Sequence, residues 1–255
     1  MSEDVMQIGS VPYLNARPLL EGLEFSIREL VPAKLCEEFQ EGKFDAALLS
    51  SIDIISMSDS EVVDGVAIGS RGDVHSVILA YTGELESVTH ICLDPSSHTS
   101  NALLQIILEE FRGLKPQYVQ IEEGKYPDLP ALMIGDPAIS FRNRTSDPGV
   151  QYLDLGGEWY RHTGLPFVFA LWVLRKEITK KKLLSDSLRE AKCLGLSDLQ
   201  SIASRTRDPE FALRYLSEWI RFDLGVEEKR GLALYAELLR KKTLIPNKPE
   251  SMKFI

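Results

Sequence analysis

Ile8-Gly-Ser-Val-Pro-Tyr-Leu-Asn-Ala-Arg-Pro-Leu19 is the stretch that decides the fold. A short apolar strand, residues 6–8, leads into a polar turn, and Pro18 suits the first turn of a following helix, where its missing N–H costs nothing. A strand, a polar turn and a helix N-terminus together place N–H groups and small side chains at a sheet edge, facing a ligand. Asn15 lies at the predicted helix start as an N-cap or as a ligand contact, and its position alone favours the cap.

The composition predicts a folded α/β protein with a sizeable core. The chain has 255 residues, 44% of them hydrophobic, which is enough for one large or two small domains. Strand patterns alternate with helical patterns along most of its length. With 29 Lys and Arg against 38 Asp and Glu, the formal net charge is -9, which argues against general nucleic-acid binding. Any anionic ligand must therefore be held by local N–H groups, hydroxyls and one or two cations.

Other features of the sequence indicate where in the cell the protein is expected and whether it is expected to bind a metal. The three cysteines, Cys36, Cys92 and Cys193, are far apart and lack CxxC spacing, which is typical of reduced cytoplasmic thiols. The N-terminus has no signal-peptide pattern and no apolar run approaches ~20 residues, so we expect a cytoplasmic protein without a membrane segment. The four histidines lack ligand spacing, which predicts no metal site, and no sequence feature calls for a cofactor.

Small polar residues recur where a predicted strand gives way to a helix. They are Ser50 and Ser51 after one strand, and Ser97, Thr99 and Ser100 after another. The last three all suit the N-cap of the helix that follows. That run is therefore either a capped helix or an anion cradle made of hydroxyls and the free N–H groups of the first turn, and both interpretations stay open.

The remaining chain offers two more polar positions of this kind. Ser76 is the polar exception on one face of a predicted strand, residues 74–81, where tolerated packing is the favoured interpretation. Asp136 ends a predicted strand, residues 132–136. Residues 141–149 have a loop-like composition, and four helical patterns follow residue 179.

The common catalytic motifs are missing from the sequence. There is no GxGxxG after a strand, no GxxxxGK[ST], no HExxH and no GxSxG, which argues against the usual nucleotide, metal and serine-hydrolase sites. What remains is a set of small polar side chains at strand ends. Because ligands of α/β sheets bind beyond the carboxyl ends of strands, this set predicts a cleft for a small polyoxygenated anion.

The chain resembles the chorismate dehydratases of the futalosine route to menaquinone. The matching segments follow the family's order through most of residues 1–175; they are 11–19, 44–51, 74–77, 94–100, 134–136, 156–159 and 163–170. The resemblance implies an α/β, two-lobed, type 2 periplasmic-binding-protein-like fold with a central cleft. Lobe I would contain residues 1–83 and 169–255, and lobe II residues 84–168.

The reaction implied by the resemblance removes water from chorismate to give 3-[(1-carboxyvinyl)oxy]benzoate, without a cofactor. Asn15 and Ser76 would then lie at the reacting centre, either orienting a substrate carboxylate that takes the proton or stabilising developing charge. Hydroxyls from opposite lobes would bind carboxylate oxygens, namely those of Ser50, Ser51, Thr99 and Ser100. The full substrate-binding set predicted here is Ser10, Tyr13, Ser50, Ser51, Ser97, Thr99, Ser100 and Asp136.

One position departs from the family pattern. His98 stands where the family usually has Arg, and a histidine is mostly neutral near pH 7 whereas arginine is a permanent bidentate cation. The change would shift carboxylate binding to Arg17 or Arg142, although both also fit a solvated surface, or would make binding more sensitive to pH.

Two alternative functions stay open beside the dehydratase. One is a binding protein that captures a small carboxylate unchanged, against which the missing export signal argues. The other is the sister 1,4-dihydroxy-6-naphthoate synthase of the same pathway, which shares the fold and uses a histidine near residues 134–136. Here those residues include Gly135 and Asp136 and no histidine, which disfavours the sister activity.

Overall fold

The strands of the described residues form two separate sheets. The computed structural model describes residues 6–57, 59–121, 128–246 and 252–255. The first sheet contains β1 (Gln7–Ser10), β2 (Ser26–Glu29), β3 (Ala46–Ser50), β4 (Glu61–Ser70), β10 (Phe167–Leu174) and β11 (Lys253–Phe254), in the order β11-β4-β10-β3-β1-β2. The second contains β5 (Val77–Thr82), β6 (His90–Leu93), β7 (Gln117–Gln120), β8 (Ala131–Ile134) and β9 (Val150–Asp154), in the order β7-β6-β8-β5-β9.

Helices cover both sheets. They are α1 (Pro32–Gln40), α2 (Ser51–Ser56), α3 (His98–Ile106), α4 (Gly135–Arg144), α5 (Leu155–Thr163), α6 (Lys181–Ser197), α7 (Leu199–Ser204), α8 (Pro209–Arg214) and α9 (Val226–Lys241). Short 3₁₀ turns lie at Leu14–Leu19 and Leu85–Ser87, and π-helical turns at Ile107–Phe111 and Tyr215–Trp219 continue α3 and α8. No helix among these described residues is both long and apolar enough to cross a membrane.

The chain passes between the two sheets twice. It leaves the first sheet after β4 and enters the second at β5, and it returns between α5 and β10. The sheet pairing therefore differs from the lobe boundaries expected at residues 83 and 169. Residues 77–82, expected in lobe I, pair with β8 and β9 of the second sheet, while Phe167 and Val168, expected in lobe II, pair with β4 of the first.

An aromatic cluster joins the two lobes. Trp159 of α5 meets Phe167 of β10 and Tyr235 of α9 edge-on, with ring centroids 5.2 and 6.0 Å apart, and all three side chains are at most 1% exposed. Edge-to-face contacts of this kind contribute about 0.5–1.5 kcal/mol beyond the area they bury. Helix α9 thus packs against both α5 and β10, where the two lobes meet.

The opening turn differs from its prediction. Residues 14–19 form a 3₁₀ turn that starts after Tyr13, so Asn15 is its second residue rather than an N-cap, and Pro18 lies inside it. The first N–H of the turn, that of Leu14, donates to Asp136 Oδ1 at 3.0 Å from the other lobe. Because a carboxylate from a distant part of the sequence accepts that N–H, the side chain of Asn15 is not needed to cap the turn.

Two further local predictions were wrong. The strand expected over residues 74–81 begins only at Val77, because the N–H groups of Val74 and His75 donate to the Asp154 carboxylate at 2.9 and 2.8 Å instead of to a neighbouring strand. Residues 135–144 form α4, where a loop was expected from residue 141. In that helix Ala138 is fully buried while Asn143 and Arg144 are exposed, so its apolar signal is short.

Candidate functional site

A small central cavity lies between the two sheets. Its polar lining consists of Tyr13, Asn15, Ser50, Ser76 and Ser100. Its apolar lining consists of Val11, Pro32, Leu48, Ile68, Val74, Val77, Ile134, Phe169 and Ala170, with the backbone of Gly135. The cavity volume is about 70 Å³. The site therefore unites five of the ten residues predicted for catalysis and binding, drawn from both lobes.

The two residues predicted for the reacting centre share one buried neighbour. Tyr215, 1% exposed, donates its hydroxyl hydrogen to Ser76 Oγ at 2.8 Å, and the side chain of Asn15 lies beside the same tyrosine hydroxyl. Asn15 Oδ1 is buried and has no hydrogen-bond partner among the described residues. An acceptor of this kind at the wall of a cavity suits a hydroxyl or N–H donor of a ligand.

Burial affects the acid–base behaviour of the two tyrosines at this end of the cavity. Desolvation raises the pKa of Tyr215, and it also raises the pKa of Tyr13, with smaller contributions from Asp94 and Asp136. Both phenols therefore stay neutral donors near pH 7. The ring of Tyr13 lies flat against Gly135, whose φ is +62°, and a Cβ there would meet the ring at 2.7 Å.

Two of the predicted hydroxyls connect neighbouring elements instead of lining the cavity. Thr99 Oγ1 accepts the N–H of Ile52 at 3.1 Å across the lobes, and the hydroxyl of Ser51 donates to the backbone oxygen of Val168. Both side chains are buried. Thr99 therefore holds the start of α2 against lobe II, and Ser51 ties α2 to β10.

Three further predicted residues, Ser97, Asp136 and Ser10, do not line the cavity. Ser97 is the N-cap of α3, accepting the Ser100 N–H at 3.2 Å, so the capped-helix interpretation holds for this serine. Asp136 accepts the N–H of Leu14 from the opposite lobe. Ser10 is fully buried at the end of β1, and its Oγ has no partner among the described residues and does not line the cavity.

The cations considered for carboxylate binding lie away from the cavity lining. Arg17 pairs with Glu29 at 2.6 Å, and Arg142 lies 3.7 Å from the Asp154 carboxylate. His98 Nδ1 is 2.8 Å from Asp53 Oδ1, and this hydrogen bond raises the histidine pKa. Among the described residues, no Asp, Glu, Lys, Arg or His lines the cavity, and no group of metal-ligating side chains is assembled.

A larger outer groove lies on the other side of the opening turn. It has a volume of about 1060 Å³ and runs between that turn, α4, α7 and α8; Pro12 and Leu14 line it while their neighbours in sequence line the cavity. Charged side chains in this groove form ion pairs, as in Arg17 with Glu29 and Arg205 with Glu21. Of the predicted site residues it contains only Asp136, so size alone does not make it the candidate site.

Sequence reasoning missed Tyr215. The pattern of residues 209–222 predicted a helix, and an inward-facing tyrosine in such a helix is ordinarily part of the core. Its contact with Ser76 joins residues 139 positions apart, which no local pattern shows.

The two sheets with a cavity between them define a protein of the periplasmic-binding-protein-like fold. A Candida albicans protein described as having that generic fold aligns with a TM-score of 0.64 at 9% identity, covering 96% of this chain and 92% of that one. AF1704 of Archaeoglobus fulgidus aligns with a TM-score of 0.73 at 14% identity, covering 96% and 100%.

The chain belongs to the menaquinone biosynthesis family, whose model matches residues 6–241. It is 32% identical to a chorismate dehydratase of Thermus thermophilus, with 91% of this chain and 94% of that one covered. It is 29% identical to a chorismate dehydratase of Campylobacter jejuni, with 88% and 89% covered.

Proposed function

We propose that this protein is a hydro-lyase that converts chorismate to 3-[(1-carboxyvinyl)oxy]benzoate in menaquinone biosynthesis. The observation that carries the proposal is the match, over about nine-tenths of the chain, to two proteins named chorismate dehydratase. The central cavity supports it, because Asn15 and Ser76 both line it. The three free cysteines also support the cytoplasmic location that we propose with this function.

Dipoles and hydroxyls would hold the substrate, which carries two carboxylates. Four helices begin at the cavity, as shown by the lining residues Pro32 of α1, Ser50 before α2, Ser100 of α3 and Gly135 of α4. The positive ends of their dipoles favour an anion in a place where the described residues supply no charged side chain. Ser50 and Ser100, one from each lobe, are the hydroxyls placed to bind carboxylate oxygens.

The dehydration breaks the C3–H and C4–O bonds of the ring. The electrons of the C3–H bond become a ring π bond, the proton and hydroxide leave as water, and aromatisation drives the reaction. Because none of the described cavity residues is a strong base at neutral pH, a carboxylate of the substrate takes the proton. Asn15 Oδ1 accepts the hydrogen of the C4 hydroxyl, and Ser76 donates to charge that develops in the transition state.

The lobes must part for the substrate to enter. A cavity of about 70 Å³ is well below the ~300 Å³ at which small-molecule pockets begin. Lobe I, the described residues of 6–70 and 167–255, and lobe II, the described residues of 77–163, would separate about the two connections between the sheets. Four predicted residues outside the cavity lining then have other roles: Thr99 and Asp136 hold the closed state, and Ser51 and Ser97 support the helices beside the cavity.

The test is to mix the purified protein with chorismate and follow the products by mass spectrometry and by absorbance of the new aromatic ring. The proposal predicts a product lighter by one water. A rise in Tm with chorismate and no product would instead indicate a carboxylate-binding protein. Turnover of cyclic dehypoxanthine futalosine in place of chorismate would indicate the sister synthase.

A further inference from the structure

The π-helical turn after α8 contacts the connection between the lobes at the cavity. Tyr215 reaches Ser76 through its hydroxyl, and Trp219, one turn further on, stacks on His75 with ring centroids 3.5 Å apart. His75 has a φ of +63°, which is uncommon for a residue with a side chain. Residues 215–219 therefore contact two successive residues, His75 and Ser76, although none of these five residues lines the cavity.

We propose that Tyr215 is a positioning residue for the dehydration: its hydroxyl donates to Ser76 Oγ and so orients the Ser76 hydroxyl towards the substrate. This inference rests on the function proposed above. Ser76 Oγ accepts the tyrosine hydrogen, so its own hydrogen is left for another acceptor, and the side chain lines the cavity where the substrate would bind. The side chain of Asn15 lies beside the same tyrosine, and its buried Oδ1, which has no partner among the described residues, can accept from the substrate.

The backbone around Ser76 is held without Tyr215. The Ser76 carbonyl accepts the N–H of Gly135 at 2.8 Å, and the preceding N–H groups donate to Asp154. What Tyr215 adds is the orientation of the Ser76 hydroxyl, rather than the path of the chain. Removing only the Tyr215 hydroxyl should therefore leave the fold intact and disturb the Ser76 side chain.

A second buried tyrosine provides a matched control. Tyr235 is fully buried as well, but its hydroxyl donates to a backbone atom, the carbonyl oxygen of Thr99, at 3.0 Å. Burial raises the pKa of both tyrosines, so both stay protonated across ordinary assay conditions. Tyr215→Phe and Tyr235→Phe remove the same atom from the same kind of environment, and only the first removes a contact with cavity side chains.

The experiment measures kcat and KM for chorismate in wild type, Tyr215→Phe, Tyr235→Phe, Ser76→Ala and the Tyr215→Phe/Ser76→Ala double variant, each below its own Tm. We expect kcat of Tyr215→Phe to fall about 10–100-fold with KM changed less than about 3-fold, because misplaced groups cost kcat. We expect Tyr235→Phe to keep kcat within about 3-fold, since its cavity side chains are untouched. The double variant should be no slower than Ser76→Ala by more than about 3-fold, because Tyr215 acts through Ser76.

Several results would overturn the inference. A Tyr215→Phe enzyme with wild-type kcat would refute it while leaving the proposed function standing. Equal losses in Tyr215→Phe and Tyr235→Phe would show a general effect of losing a buried hydroxyl. Independent, multiplying losses in the double variant would refute action through Ser76. A wild-type protein that does not convert chorismate would remove the proposed function, and this inference with it.

Discussion

Replacing Ser76 with alanine removes one oxygen atom from the cavity wall, and the structure indicates two separate effects. The first concerns stability. Tyr215 loses the acceptor of its hydroxyl hydrogen at a position that is 1% exposed. An unpaired buried donor costs about 1–3 kcal/mol, so we expect the free energy of unfolding of Ser76→Ala to fall by about that amount.

The second effect concerns the rate. A donor aimed at developing charge in a closed, largely apolar cavity is worth about 10²–10³-fold in kcat. We therefore expect Ser76→Ala to lose about that much kcat, which its loss of stability does not explain as long as the variant stays folded under the assay conditions. The assay is the formation of the aromatic product from saturating chorismate, with the free energy of unfolding taken from urea denaturation of the same preparation.

Ser70→Ala is the matched control. Ser70 is fully buried at the end of β4, and its Oγ has no partner among the described residues and does not line the cavity. Its loss should be near neutral for stability, and kcat should stay within about 3-fold of wild type. The reasoning is refuted if Ser76→Ala keeps kcat within about 3-fold, or if Ser70→Ala loses as much.

Three other changes have definite expected results. Thr99→Val leaves an N–H of α2 unpaired between the lobes, so the free energy of unfolding should fall by about 1–3 kcal/mol in urea; an unchanged midpoint would show that this contact does not hold the lobes. Gly135→Ala places a Cβ 2.7 Å from the Tyr13 ring at a φ of +62°, so Tm should fall and KM for chorismate should rise, and unaltered values of both would contradict the packing described. The hydrogen bond to Asp53 raises the pKa of His98, so its stabilisation is full below the free-histidine value of 6.5 and is lost as pH rises through the raised pKa; the Tm advantage of wild type over His98→Ala should shrink from pH 6 to pH 9, and a constant advantage would exclude this ionisation.

The strand–helix junctions could be predicted from the sequence because their signals are local. Buried strands followed by small polar residues and apolar helical patterns identified the starts of α2 and α3, and Ser97 caps the latter. The resemblance to the family then selected Asn15 and Ser76 from positions where local reasoning favoured a cap and tolerated packing.

The partners of these residues are set by contacts between distant parts of the chain. Asn15 is free of capping because Asp136, 122 residues from Leu14, satisfies the first N–H of its turn. Likewise the Asp154 carboxylate accepts the N–H groups of residues 74 and 75. These residues therefore do not pair within the expected strand, and β5 starts at Val77. Hydrogen bonds between a polar side chain and a distant part of the backbone produce no periodic pattern in the sequence. The contact of Tyr215 with Ser76 could not be predicted for the same reason.

The central claim is that chorismate reacts in the small cavity between the lobes and not in the larger outer groove. A crystal structure of the protein with 3-[(1-carboxyvinyl)oxy]benzoate tests it most directly. We predict the product between Asn15 and Ser76, with its carboxylates near Ser50 and Ser100 and the lobes further apart than in the closed form. Product bound only in the outer groove, with the cavity closed around Ser76, would contradict the account.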